Sequence, residues 1–172
     1  VKFKEKIREI QDFPEKGIQF KDITTLLKDG KAFHAAINQL AQPFRHQDID
    51  LVVGPEARGF VVGAPVAYAL GVGFVPVRKS GKLPGETLSY RYTLEYGENV
   101  LEVHRDAVKP GQKVLIADDL LATGGTTRAV VQMVEQLGGE VVGLTFMIEL
   151  LYLKGRQLLG HDNITSLLKY KQ

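Results

Sequence analysis

Val114-Leu115-Ile116-Ala117-Asp118-Asp119-Leu120-Leu121-Ala122-Thr123-Gly124-Gly125-Thr126-Thr127 joins an apolar run to two acids and a turn of glycines and threonines. Its opening apolar run has no polar break, which fits a strand buried on both faces of a helix-covered parallel sheet. Two carboxylates end that strand. The loop Leu120 to Gly125 then opens a helix predicted over 126–137, with Val130, Met133, Val134 and Leu137 on one stripe. Free N–H groups and the dipole at a helix start favour an anion. Gly124 and Gly125 let the backbone wrap a phosphate, and Thr123, Thr126 and Thr127 can add hydroxyl donors. Asp118 and Asp119 would repel a bare phosphate, by on the order of 4 kcal/mol at about 4 Å. They therefore need something else to hold, such as hydroxyls or a metal. A sugar phosphate supplies both parts, its phosphate for the loop and its ribose hydroxyls for the acids. Solvated acids before a capped helix would need neither paired acids nor paired glycines.

Leu51-Val52-Val53 is a second short buried run, ending at Gly54. A tight loop over 54–59 leads into a helix over about 59–70, a turn at Gly71-Val72-Gly73 and a strand over 74–77. Residues 87–96 alternate polar and aromatic groups and pair as a hairpin with about 99–104. A strand over 141–150, a helix near 153–159 and a strand over 164–169 complete the C-terminal part. At the other end, Phe3, Ile7 and Ile10 share a stripe and predict a short helix over 1–11. An irregular segment over 13–22 and a helix over 31–42 follow. Strands alternating with helices predict an α/β fold, a central, mostly parallel twisted sheet flanked by helices. Right-handed crossovers bring the loops at the strands' carboxyl ends together. The loops 54–59 and 118–126 are then the ligand-binding candidates, in one domain spanning 1–172.

Composition narrows the classes. The chain has 172 residues, 44% of them hydrophobic and 24% charged, which fits a globular domain rather than a disordered one. Its 18 glycines exceed the usual share, and ask where backbone turns tightly or meets a ligand closely. A net charge of +2 gives no argument for nucleic acid. The absence of cysteine fits a reducing compartment, and Val1 to Glu9 does not read as a signal peptide. Gly59 to Val77 carries no charge, but six of its residues are Gly or Pro, so no membrane span is expected. The hydrolase motif G-x-x-x-x-G-K-[ST] does not occur. Gly71-Val72-Gly73 starts like a dinucleotide fingerprint, yet Pro76 stands where the third glycine is needed.

The 114–127 segment resembles the phosphoribosyl pyrophosphate motif of type I phosphoribosyltransferases. Four further segments occur in the order and spacing of that family's adenine branch. They are Phe13-Pro14 through Gly17 to Phe20-Lys21-Asp22-Ile23, then Glu56-Ala57-Arg58-Gly59-Phe60, Arg78-Lys79 with Gly81-Lys82-Leu83-Pro84, and Leu94-Glu95-Tyr96-Gly97. The resemblance covers essentially the whole chain. It implies the type I phosphoribosyltransferase fold, with a small N-terminal hood over about 1–30 and a mobile active-site hairpin over about 80–98. It implies a pentosyl-transferring enzyme of purine salvage. Adenine and phosphoribosyl pyrophosphate would give AMP and pyrophosphate with Mg²⁺, the metal held mainly by substrate oxygens and water rather than by protein ligands. It also implies a cytoplasmic homodimer with no nucleic-acid or membrane partner.

The site residues carry over from the same resemblance. Ala122, Thr123, Gly124, Gly125 and Thr126 would cradle the 5-phosphate, and Asp118 and Asp119 would hold the ribose hydroxyls. Arg58 and a cis Glu56–Ala57 peptide would face the pyrophosphate, with Arg78, Lys79 and Lys82. Phe20 and Leu120 would sandwich adenine while main-chain groups at Gln19 and Lys21 read its edge. Glu95 is the candidate acid/base group, and Arg58 joins it as a catalytic residue. Taken alone, several of these residues have plainer readings. Lys79 and Lys82 suit a solvated loop face, Glu95 an ordinary hairpin carboxylate, Phe20 a core position and Arg58 a local cap. Gly85 departs from the family, where a basic residue is common. Transfer to hypoxanthine, guanine or xanthine, and a non-catalytic sensor of the sugar phosphate, are the alternative functions.

Overall fold

β7 (Lys113–Leu121) lies at the heart of the sheet, between β3 (Leu51–Pro55) and β8 (Glu140–Leu150), and runs parallel to both. The computed structural model describes residues 1–94 and 97–172. Among them, seven strands form the main sheet, in the order β5 (Thr87–Leu94), β6 (Gly97–His104), β4 (Gly73–Lys79), β3, β7, β8 and β9 (Ile164–Tyr170). β4 and β9 extend the parallel set on either side. β5 and β6 are an antiparallel hairpin added at the β4 edge. The mixed α/β architecture is the one expected.

Side chains of β7 alternate between two cores, as the pleat requires. Leu115 and Ala117 join the side packed by α2 (Gly30–Ala41) and α3 (Arg58–Leu70). Val114 and Ile116 join Ala129, Val130, Met133 and Val134 of α4 (Gly125–Gln136) on the other. With both faces covered, the strand has no polar side to show, hence its unbroken apolar run. In α2 the buried stripe is Ala32, Ala36, Ile37 and Leu40, and the Asp29 side chain caps the helix by accepting from the Ala32 N–H at 3.2 Å.

The chain leaves β3 toward β4 on one side, and leaves β7 toward β8 on the other. The order in which the chain adds strands therefore reverses between β3 and β7. Ligands of open α/β sheets bind outside the carboxyl ends of the strands at such a switch point. Both loops singled out from the sequence rise there.

Two expectations need correction. The predicted helix over 1–11 is a short 3-10 turn at Phe3–Lys6 followed by strand β1 (Arg8–Gln11). The segment read as irregular contains its partner, β2 (Gln19–Asp22), and a short helix α1 (Thr24–Leu27) follows. Cross-strand charge decides this, because Arg8 lies opposite Asp22 and Glu9 opposite Lys21. Arg8 Nε donates to Asp22 Oδ2 at 2.9 Å, and Lys21 Nζ to Glu9 Oε1 at 2.7 Å. The apolar stripe is real only in part: Ile7 is buried in the core and Phe3 packs against it. The second correction concerns length. β3 continues through Pro55 and β7 through Leu121, so Asp118, Asp119 and Leu120 are strand residues, not loop residues. β8 is long enough to keep pairing, with Leu120 opposite Ile148 and Leu121 opposite Glu149.

Candidate active site

The turn after β3 and the end of β7 meet at close range. A Cβ on Gly59 would lie 2.9 Å from Asp118 Oδ1 and 3.0 Å from Pro55, so the first turn of α3 sits against the acids only because residue 59 has no side chain. The Glu56–Ala57 peptide ahead of it is cis, as the resemblance implies. Arg58, the first residue of α3, reaches across the switch point. Its Nε donates to Asp119 Oδ2 at 2.7 Å. That contact, with further attraction from Asp118 and Asp22, holds the guanidinium more firmly protonated than usual.

The two acids differ. Burial pushes the Asp118 carboxyl well above the usual carboxylate range, and the charge of Asp119 pushes it further. Its Oδ1 accepts the Asp119 N–H at 2.8 Å. Asp119 carries the ion pair with Arg58. Glu56 is a third carboxylate close by. Its Oε1 accepts the Lys79 N–H at 2.7 Å and Arg78 Nε at 3.2 Å. Those contacts, the Lys79 N–H first, hold its pKa below the usual range.

Beyond β7, Ala122, Thr123 and Gly124 form the turn into α4. Gly124 has φ +91°, a conformation that side-chain-bearing residues rarely adopt. A Cβ there would lie 3.1 Å from the Gly155 carbonyl oxygen in α5 (Gly155–Leu159). A Cβ on Gly155 would in turn meet the Ala122 carbonyl oxygen at 2.6 Å. The turn thus rests backbone on backbone against α5. That helix is tied down by Arg156, whose Nε contacts both oxygens of buried Glu149 at 3.0 and 2.8 Å, and Ser166 donates to the same carboxylate at 2.7 Å. The sequence reading missed Gly155, Arg156 and Glu149. The lone acid in the apolar run of β8 is the mark that would have found them, since a buried carboxylate demands a partner.

These pieces enclose two adjoining cavities. The smaller, about 240 Å³, is lined by Glu56, Ala57, Arg58, Asp118, Asp119 and the 122–127 turn. The larger, about 800 Å³ and mostly apolar, lies under β2, with Gln19, Phe20 and Lys21 on one side and Leu120, Ile148 and Leu150 on another. Tyr152, Leu153, Lys171 and Gln172 also line it and were not foreseen. Arg58, Asp119 and Leu120 belong to both, so one wall separates the two spaces.

Phe20 stacks edge-on against Phe13, ring centroids 5.1 Å apart. The Lys21 side chain is turned away, its Nζ bound to Glu9 and 4.4 Å above the Tyr170 ring centroid. What Lys21 offers the cavity is therefore its main chain. β2 pairs with β1 on one edge alone among the described residues, leaving main-chain N–H and C=O groups on its other edge. Arg78, Lys79 and Lys82 line neither cavity. The first two flank Glu56, and Lys82 sits in a turn with its N–H on the Lys79 carbonyl oxygen at 3.2 Å. Glu95 lies outside the described residues.

Comparison with known proteins agrees with this geometry. The phosphoribosyl transferase domain family matches residues 24–162. The chain is 62% identical over 167 residues to an adenine phosphoribosyltransferase of Clostridium perfringens (strain SM101 / Type A), covering 97% of each chain. It is 61% identical over 168 residues to one of Brevibacillus brevis, covering 98% of this chain and 99% of that one. Among solved structures, adenine phosphoribosyltransferase from Thermoanaerobacter pseudethanolicus superposes with a TM-score of 0.94 at 59% identity, over 97% of each chain. The Saccharomyces cerevisiae enzyme, complexed with an iminoaltritol bisphosphate and adenine, gives 0.90 at 40% identity over 96% of each.

Proposed function

The chain belongs to the phosphoribosyl transferase family, and from that membership we propose that it transfers ribose 5-phosphate from phosphoribosyl pyrophosphate to adenine, giving AMP and pyrophosphate. The shared wall carries the reading: a polar cavity with an anion turn adjoins an apolar cavity of purine-binding character across Arg58, Asp119 and Leu120. The new bond would form beside that wall. The adenine phosphoribosyltransferases that the chain resembles support the choice of base.

Each residue then has a physical task. The N–H groups at Gly124 and Gly125, with the Thr123 and Thr126 hydroxyls and the backbone of Ala122, take the 5-phosphate. Asp118 and Asp119 accept the ribose hydroxyls. For Asp119 this means exchanging the Arg58 guanidinium for substrate, which frees Arg58 to face the pyrophosphate beside the Glu56–Ala57 peptide. Glu56 orients Arg78 and the Lys79 N–H, so the cations enter the site from a fixed anchor, and Lys82 joins them from its turn. Phe20 and Leu120 sandwich the base, and the Gln19 and Lys21 main chain reads its edge. The transition state develops positive charge on the sugar and negative charge on the leaving group, and the basic side chains stabilise the latter. Glu95 handles the proton at the purine imidazole. The 80–98 segment closes over the site to exclude water, and residues 1–30 act as its hood, all within one domain over 1–172.

The donor set suits Mg²⁺. Among the described residues no three of His, Cys, Asp and Glu converge on one point. Two neighbouring carboxylates beside a phosphate turn match an ion that keeps its waters and binds chiefly through substrate oxygens, with Asp118 and Asp119 as the available protein oxygens. When bound, it adds positive charge at the leaving pyrophosphate.

We assign the protein to homodimers through α3. That helix has no charge after Arg58, yet Val61, Ala64 and Tyr68 lie exposed along one side, Tyr68 at 89%. A helix apolar on every side is normally covered. No described helix is long and apolar enough to cross a membrane; cytoplasmic purine salvage is the setting we assign.

The test is an assay of the purified protein with Mg²⁺, phosphoribosyl pyrophosphate and adenine, hypoxanthine, guanine or xanthine in turn. AMP formation with adenine far above the other bases is expected. No turnover with adenine would overturn the reading, and preference for another base would reassign the larger cavity.

A further inference from the structure

The β5–β6 hairpin touches the anion turn at one polar point. Tyr92 Oη lies 3.0 Å from Thr126 Oγ1, and Asn99 Nδ2 approaches the same Oη at a longer 3.4 Å. Tyr92 and Asn99 stand directly opposite each other in the hairpin register. Leu88, Tyr90 and Tyr92, alternate residues of β5, pack against the core cluster that contains the buried face of α4. The phenol is thus held in place by its own strand, its cross-strand partner and the helix.

We propose that Tyr92 is a positioning residue that aims the Thr126 hydroxyl at the 5-phosphate, so that docking of the hairpin sets the strength of the anion turn. The amide nitrogen of Asn99 only donates, so the Tyr92 oxygen accepts from it. We take the single phenolic proton to be donated to Thr126 Oγ1, the one of its two polar contacts that can accept it. That hydroxyl, its acceptor side occupied, keeps its own proton for another acceptor. Thr126 lines the smaller cavity, where a phosphate oxygen would be that acceptor. Without Tyr92 the hydroxyl can turn its proton elsewhere. Because coupling is reciprocal, a ligand on Thr126 also holds the hairpin down. The inference rests on the phosphate assignment proposed for the turn.

The test is a mutant cycle read by calorimetric binding of ribose 5-phosphate, with inorganic pyrophosphate as the control ligand. Tyr92→Phe keeps the ring and its apolar packing. It is expected to weaken ribose 5-phosphate about three- to tenfold, the scale of one neutral hydrogen bond, and to leave pyrophosphate within twofold. In a Thr126→Ala background the same change is expected to do nothing further, and in Thr126→Ser, which restores the hydroxyl, its effect returns. Full additivity with Thr126→Ala, equal loss of both ligands, or unchanged ribose 5-phosphate binding in Tyr92→Phe each overturns the inference while the site reading stands. Failure of the unmodified protein to bind ribose 5-phosphate overturns the site reading itself.

Discussion

Gly124 and Gly125 are neighbours in sequence, yet the structure predicts opposite consequences for filling them. At Gly125 the added Cβ meets nothing nearer than Thr123 Oγ1 at 3.9 Å, and φ is not in the left-handed region. The space it enters is the smaller cavity, which Gly125 lines. Gly125→Val should therefore leave the fold alone. Glycine costs about 0.8–1.0 kcal/mol in a helix relative to alanine and valine no more than about 0.7, so their difference is a few tenths. A melting shift below about 2 °C follows for a chain of this length. Ligand binding should fail, because the branched side chain stands where the anion must approach the N–H groups. Denying two charge-assisted hydrogen bonds at about 1.5–3 kcal/mol each weakens binding by roughly two to four orders of magnitude. Gly124→Val should instead unsettle the protein. The left-handed backbone costs about 1–3 kcal/mol, or about 2–12 °C of melting temperature, before the contact with the Gly155 carbonyl oxygen at 3.1 Å is counted. Scanning calorimetry and titration with ribose 5-phosphate separate the two. A Gly125→Val protein that melts normally and binds ribose 5-phosphate normally would refute the placement of the anion.

Three further outcomes are expected. Asp118→Asn replaces a buried ionisable carboxyl by a neutral amide while keeping the oxygen that accepts the Asp119 N–H. The folded-state pKa of Asp118 is raised, so the native chain holds a proton that the unfolded chain releases near pH 4. Wild-type stability from this group is complete below that value and is lost as pH rises through the folded pKa; the variant's melting advantage should grow from pH 4 to 8, and a constant difference would refute it. Glu95→Gln should lower kcat by about 10²-fold or more at saturating substrates, and an unchanged rate removes Glu95 from the proton transfer. Tyr68→Asp should convert a species of twice the 19.0 kDa chain mass to one of single mass in light scattering, and an unaltered dimer would move the interface off α3.

How much of this was legible depends on whether the deciding interaction is local. The apolar run of β7 announced its own burial, and the two acids and two glycines that follow lie within eight residues, so the strand end and the turn into α4 could be read as a unit. β1 could not, because its extended form is held by Asp22 and Lys21, more than ten residues away, against a local pattern that favours a helix. The larger cavity was legible in halves. Phe20 and Leu120 came from family motifs, whereas Ile148 and Leu150 lie in an apolar strand where nothing local distinguishes a cavity wall from core. The pairing of Leu120 with Ile148 across the β7–β8 ladder is what puts Ile148 beside Leu120 in the larger cavity. The Arg58–Asp119 contact is the sharpest instance. Both residues were singled out, each for a different part of the substrate, yet their separation of 61 residues hides that they bind each other at 2.7 Å. Each thus neutralises the other; the proposed function would give both new partners, hydroxyls for the carboxylate and pyrophosphate for the guanidinium. Under the proposed function, substrate binding replaces one ion pair by two sets of contacts. A carboxylate and a guanidinium assigned to different ends of one substrate are therefore placed in contact without contradiction, because their mutual pairing keeps both charges partnered in the open site.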